Sequence, residues 1–83
     1  MLADIVEVKV LDHYRLVLRF NDGTVGEVDV TEIVPFQGVF TKLKEEKYFS
    51  TVFVDPESGT ICWDSGADLS PCMLYSYIVN KPK

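Results

Sequence analysis

The chain has 83 residues with a formal net charge of -5, 8 basic against 13 acidic side chains. A length of this order fits one domain spanning 1–83, and it removes only roughly two-thirds of its unfolded surface from water on folding. A surface this acidic repels a phosphate backbone, so autonomous nucleic-acid binding is not expected; the bases Lys42, Lys44 and Lys47 are interleaved with Glu45 and Glu46.

The hydrophobic fraction of 47% and charged fraction of 25% are those of a folded globular chain. No apolar run approaches the roughly 20 residues that cross a bilayer, so no membrane segment is expected. Met1-Leu2-Ala3-Asp4 lacks a positive region followed by an apolar stretch, which argues against a secretory signal and for a cytoplasmic location. Cys62, Cys72 and the lone His13 supply three soft ligands where a structural zinc site wants four. Neither cofactor nor metal is expected, and the two cysteines read as half-buried thiols in a reducing compartment.

In chain order, Val6, Val8 and Val10 alternate with Glu7 and Lys9, and Tyr14, Leu16, Leu18 and Phe20 alternate with Arg15, Val17 and Arg19. Val28 and Val30 alternate with Glu27 and Asp29. A period of two marks strands. A two-residue loop at Asp22-Gly23 sets Leu16 opposite Asp29, an acid on the apolar face. A three-residue loop, Asn21-Asp22-Gly23, instead pairs Phe20 with Thr24, Leu18 with Gly26, Leu16 with Val28 and Tyr14 with Val30. Register follows the buried face, so the three-residue loop is predicted, with Gly23 left-handed. The polar face then sets Arg15 opposite Asp29, with Arg19 diagonal to Glu27. The same reasoning at Leu11-Asp12-His13 pairs Val10 with Tyr14, Val8 with Leu16 and Val6 with Leu18. His13 sits at that turn, where a histidine tolerates left-handed backbone.

Pro35 ends a short turn over Thr31 to Val34. Beyond Gly38, the spacing of Val39, Phe40 and Leu43 predicts a helix of about nine residues that depends on packing. Tyr48 and Phe49 lead to Thr51–Val54, the turn Asp55-Pro56-Glu57-Ser58-Gly59, and Thr60–Trp63, a second hairpin. Its alternation places Val52, Val54 and Cys62 on one face and Phe53, Ile61 and Trp63 on the other. Ser70-Pro71 opens a last helix with Leu74, Tyr75 and Ile78 inward, fraying from Asn80 to Lys83. The expected fold is α+β: a three-stranded antiparallel meander, a helix, a β-hairpin and a short C-terminal helix.

Phe20-Asn21-Asp22-Gly23-Thr24 with Gly26 and Val28-Asp29-Val30, followed by Thr60-Ile61-Cys62-Trp63, Gly66, Asp68-Leu69, Pro71 and Leu74-Tyr75, resembles the small bacterial family called domain of unknown function 2442. The likeness covers nearly the whole chain. It implies a small α+β domain, sometimes fused to a helix-turn-helix domain and often encoded beside another small protein in an arrangement like toxin and antitoxin. It supplies no catalytic residues. The sequence ends at Lys83 without the DNA-binding extension, so direct operator binding is not expected.

Candidate chemistry is sparse. Asp64 and Asp68 flank Gly66 beside Trp63, which suits an acid/base pair or a sugar subsite, or else solvated loop acids, with Asp68 close to a helix start that favours an anion. With a single histidine and no nucleophile motif, an enzyme is not expected. The two apolar faces of the second hairpin point to an interaction module, a homodimer or the antitoxin-like partner of a small protein encoded nearby, with Phe53 or Trp63 as anchor. Its acidity suits a basic partner. The alternatives are a small-ligand domain or enzyme using Trp63, Asp64 and Asp68, and a structural homodimer.

Overall fold

Strand β1 (Ile5–Leu11), β2 (Arg15–Phe20) and β3 (Val25–Asp29) form an antiparallel meander in the computed structural model, which describes residues 3–80. The anticipated fraying at the C-terminus reaches Lys81 to Lys83, which lie outside the described residues. The β2–β3 register is the one that the buried face demands: Leu16 opposes Val28 and Leu18 opposes Gly26. The amide of Phe20 donates to Thr24 O at 2.8 Å, and Val30 N donates to Tyr14 O at 3.0 Å. Gly23 turns the corner with φ 92°, in the left-handed region that a side chain disfavours. Leu16, Leu18, Phe20, Val28 and Val30 are fully buried.

On the polar face Arg15 opposes Asp29 as expected, but its ion pair goes diagonally to Glu27 at 2.8 Å. Asp29 is occupied elsewhere, its Oδ1 accepting from Thr31 N at 3.0 Å as the N-cap of a helical turn, α1 (Val30–Ile33). Arg19 lies diagonal to Glu27 as expected, and its ion pair is made across to Glu7 of β1 at 2.8 Å. Such exposed pairs contribute at most about 1 kcal/mol and fix no register by themselves.

The first turn is displaced by one residue from the expected position. It comprises Asp12-His13-Tyr14, with both His13 and Tyr14 at φ 61°, so Val8 opposes Leu18 and Val10 opposes Leu16. The physical cause is Tyr14. Its ring packs edge-on against Phe36 and Phe49, with centroids 5.2 and 5.3 Å away, and its hydroxyl donates to Lys44 O. This anchorage draws it out of the strand. A shift of two in pairing preserves the faces, so Val8 still packs on the core. Nearer the start of β1, Val6 is an extra residue between the pairs Ile5–Phe20 and Glu7–Arg19. This bulge reverses the alternation and sends Ile5 into the core while Val6 faces outward.

The segment after Gly38 is a 3₁₀ helix over Gly38–Lys44, broken at Glu45, and then a single turn, α2 (Glu46–Phe49), in place of one continuous α-helix. Glu45 adopts extended backbone (φ -83°, ψ 119°), which stops propagation. Leu43 and Phe49 are buried. The C-terminal helix, α3 (Pro71–Val79), starts as its sequence indicates, with Ser70 Oγ accepting from Met73 N at 3.3 Å and proline in the first turn. It lies across β3 at Gly26, where a Cβ would stand 2.3 Å from Ile78 Cγ2. Tyr77 ties α3 to α1 through a hydrogen bond to Glu32, a contact that holds its phenol above the usual range.

β4 (Phe53–Asp55) and β5 (Thr60–Cys62) make the second hairpin. It joins the meander where Ile5 N donates to Gly59 O at 2.9 Å. Among the described residues, no helix is long and apolar enough to cross a membrane.

Candidate functional site

The second hairpin has a different register from the one the sequence suggests. Phe53 opposes Cys62, Val54 opposes Ile61, and Asp55 opposes Thr60. The turn is therefore Pro56–Gly59, closed by Gly59 N donating to Asp55 O at 2.8 Å, and Asp55 belongs to the strand. This one-residue slip exchanges Cys62 with Ile61. Val52 and Ile61 are buried on the inner face, while Phe53 shares the outer face with Cys62 and stays 45% exposed.

Trp63 continues the inner face and is 2% exposed. Its ring packs against Phe49 at 5.9 Å and its Nε1–H donates to Phe49 O at 3.0 Å, which satisfies the buried indole. The structure thus separates the two aromatics named from sequence: Trp63 is core and Phe53 is surface.

Beyond Trp63 the chain makes a tight loop, with Gly66 N donating to Trp63 O at 3.0 Å and Trp63 N to Ala67 O at 2.8 Å. The hydroxyl of Tyr48 donates to Asp64 Oδ1 at 2.8 Å and accepts from Ser65 N at 3.0 Å. Lys42 Nζ stands 5.7 Å from the centroid of the Tyr48 ring. Asp64 thereby fastens its loop to α2. Asp68 takes part in a backbone bridge to Cys62, and the cap of α3 is supplied by Ser70. The two acids are held by separate partners. Among the described residues, no group of three or more His, Cys, Asp or Glu is placed to hold a metal ion.

What the hairpin does assemble is an outer face of mixed character. Side chains alternate along a strand, so Asp55 lies on the same side of β4 as Phe53, and Cys62 and Asp68 sit beside them across the bridges. The Cys62 thiol reports this arrangement. Burial pushes its pKa up, and the negative charges of Asp55 and Asp68 push it further in the same direction. The sequence offered no sign of this grouping, because the expected slip put Cys62 on the opposite face from Phe53.

A second cluster lies at the tip of the meander. Tyr75 packs edge-on to Phe20 at 5.0 Å, and its hydroxyl meets Asp22 and Thr24. Asp22 Oδ1 accepts from Thr24 N at 2.9 Å. These bonds, led by that from the Thr24 amide, hold the Asp22 carboxyl below its usual range. Asn21 Oδ1 accepts from Asp4 N at 3.2 Å. The side chains of Phe20, Asp22 and Thr24 thus hold the turn to α3, and that of Asn21 holds it to Asp4. His13 is exposed at its turn.

The fold is a meander and hairpin closed by short helices, with an acidic, partly apolar outer face on the hairpin where Phe53 is exposed. The chain belongs to the family described as protein of unknown function (DUF2442), whose model matches residues 5–80. No curated protein and no solved structure matches the chain.

Proposed function

We propose that this domain is a non-catalytic protein-interaction module acting in the cytoplasm, the antitoxin-like or regulatory partner of a small protein encoded beside it. The observation that carries this reading is Phe53, 45% exposed on the outer face of a hairpin whose other large side chains, Ile61 and Trp63, are buried. An exposed aromatic costs solvation without contributing to the core, and aromatic anchors dominate the energetics of protein interfaces. The rival reading, a ligand site of Trp63, Asp64 and Asp68, gains nothing from the geometry, since the indole is enclosed and Asp64 is bound to Tyr48.

The test is molecular mass by light scattering for the wild type and Phe53→Ser, each alone and mixed with the neighbouring gene's product. A heteromeric complex formed by the wild type and lost in a folded Phe53→Ser supports the reading. A wild type that dimerises through Phe53 and ignores its neighbour assigns the face to a second copy instead. A wild type that stays monomeric in both mixtures contradicts the proposal.

A further inference from the structure

The outer face around Phe53 carries a charge pattern as well as an aromatic. From residue 48 to residue 80 the chain contains four acids, Asp55, Glu57, Asp64 and Asp68, and no Lys, Arg or His. The described bases, Lys9, Arg15, Arg19, Lys42, Lys44 and Lys47, all precede this segment, and the two arginines are already paired with Glu27 and Glu7. Lys81 and Lys83 follow it in the sequence, so the stretch between Lys47 and Lys81 carries four acids and no base. The register places two of the acids next to the aromatic: Asp55 on the same side of β4, and Asp68 bridged to Cys62, which itself opposes Phe53.

On the reading of this face as an interface, we infer that Phe53, Asp55 and Asp68 together recognise a cationic, amphipathic segment of a protein partner, an apolar side chain seating on Phe53 between Lys or Arg side chains that meet the two carboxylates. The complementarity argument also weighs against a second copy. Two such faces brought together would juxtapose like charges, which costs free energy wherever they are desolvated. It equally disfavours nucleic acid, whose phosphates the same carboxylates repel. The hydrogen bond of Asp55 Oδ1 to Glu57 N, 3.0 Å, orients that side chain at the mouth of the turn and survives substitution by asparagine.

The inference is tested with a synthetic amphipathic peptide of leucine and lysine, and its counterpart of leucine and glutamate, titrated against the whole chain by fluorescence anisotropy. The lysine peptide is expected to bind, with affinity that falls as salt rises, and the glutamate peptide is not. Phe53→Ser is expected to weaken binding by more than roughly tenfold. Asp55→Asn with Asp68→Asn should weaken it roughly three- to tenfold, while Glu45→Gln, which removes a charge elsewhere, leaves it unchanged. Equal binding of both peptides, or equal losses in Glu45→Gln and the double variant, overturns the inference. Repeating the titration with the neighbouring gene's product separates the two ideas. Binding that needs Phe53 but ignores both salt and the double substitution leaves the interaction reading standing and removes the cationic partner.

Discussion

The hydroxyl of Tyr75 on α3 donates to Asp22 Oδ2 at 2.7 Å, joining residues 53 positions apart in sequence. One bond links the turn of the first hairpin to the last helix, and the ring beneath it covers Phe20. The residues through which the chain resembles its family at both ends therefore meet in space and have a structural explanation.

Tyr75→Phe keeps the ring and removes the hydroxyl, so it is expected to lower the urea midpoint at pH 7. The contribution depends on the charge of Asp22. Its folded pKa lies below the unfolded value of about 3.9, so the stabilisation is present above that pH and is lost as pH falls through the folded value. The midpoints of Tyr75→Phe and wild type should therefore differ at pH 7 and converge near the acid end. A difference that grows on acidification contradicts this account.

Gly26→Ala should destabilise the domain by about 1–3 kcal/mol through overpacking. The added Cβ lies 2.3 Å from Ile78 Cγ2 and 3.1 Å from Ile78 Cβ, so α3 has to shift on β3. Pairing the substitution with Ile78→Ala should recover part of the loss. Thermal melts of the two single variants and the double variant measure that coupling.

At Gly23 the conflict is with the backbone alone, since an added Cβ meets nothing within 4 Å. Gly23→Val is expected to cost about 1–2 kcal/mol, because φ 92° is left-handed. An unchanged urea midpoint would show that the turn is built some other way.

The two aromatics of the hairpin should behave oppositely. Trp63→Ala removes a buried ring and its hydrogen bond to Phe49 O, and is expected to cost about 3–5 kcal/mol, a large share of a small domain's stability. Phe53→Ser should leave the thermal midpoint close to that of wild type. If both unfold the domain, Phe53 belongs to the core and the outer face is misplaced.

The sequence was most legible where one glycine turn and one buried face fix a register together. Gly23 and the apolar set Leu16, Leu18, Phe20 and Val28 left a single consistent pairing, and the structure has it. The second hairpin was harder because Asp55-Pro56-Glu57-Ser58-Gly59 is a turn by composition whether or not Asp55 pairs. Only the bond from Gly59 N to Asp55 O decides that. Ile5 escaped notice because a bulge at Val6 breaks the alternation that would have marked it. The spacing of Val39, Phe40 and Leu43 serves a 3₁₀ helix as well as an α-helix, so periodicity alone could not choose between them. Of the candidate residues, Phe53 and Trp63 look alike in sequence, and the structure separates them because alternation along β4 and β5 turns one out and the other in.

Thiol protection in the complex tests the central claim most directly, because Cys62 lies opposite Phe53 on the outer face and Cys72 is exposed on α3. In the free domain Cys62 should alkylate more slowly than Cys72, its thiol half-buried and held neutral to higher pH by burial and by Asp55 and Asp68. On adding the neighbouring gene's product, the measured rate at Cys62 is predicted to fall by roughly tenfold or more while the rate at Cys72 stays the same. Protection at Cys72 alone, or unchanged rates at both thiols in a complex that has demonstrably formed, would contradict the placement of the interface on the second hairpin.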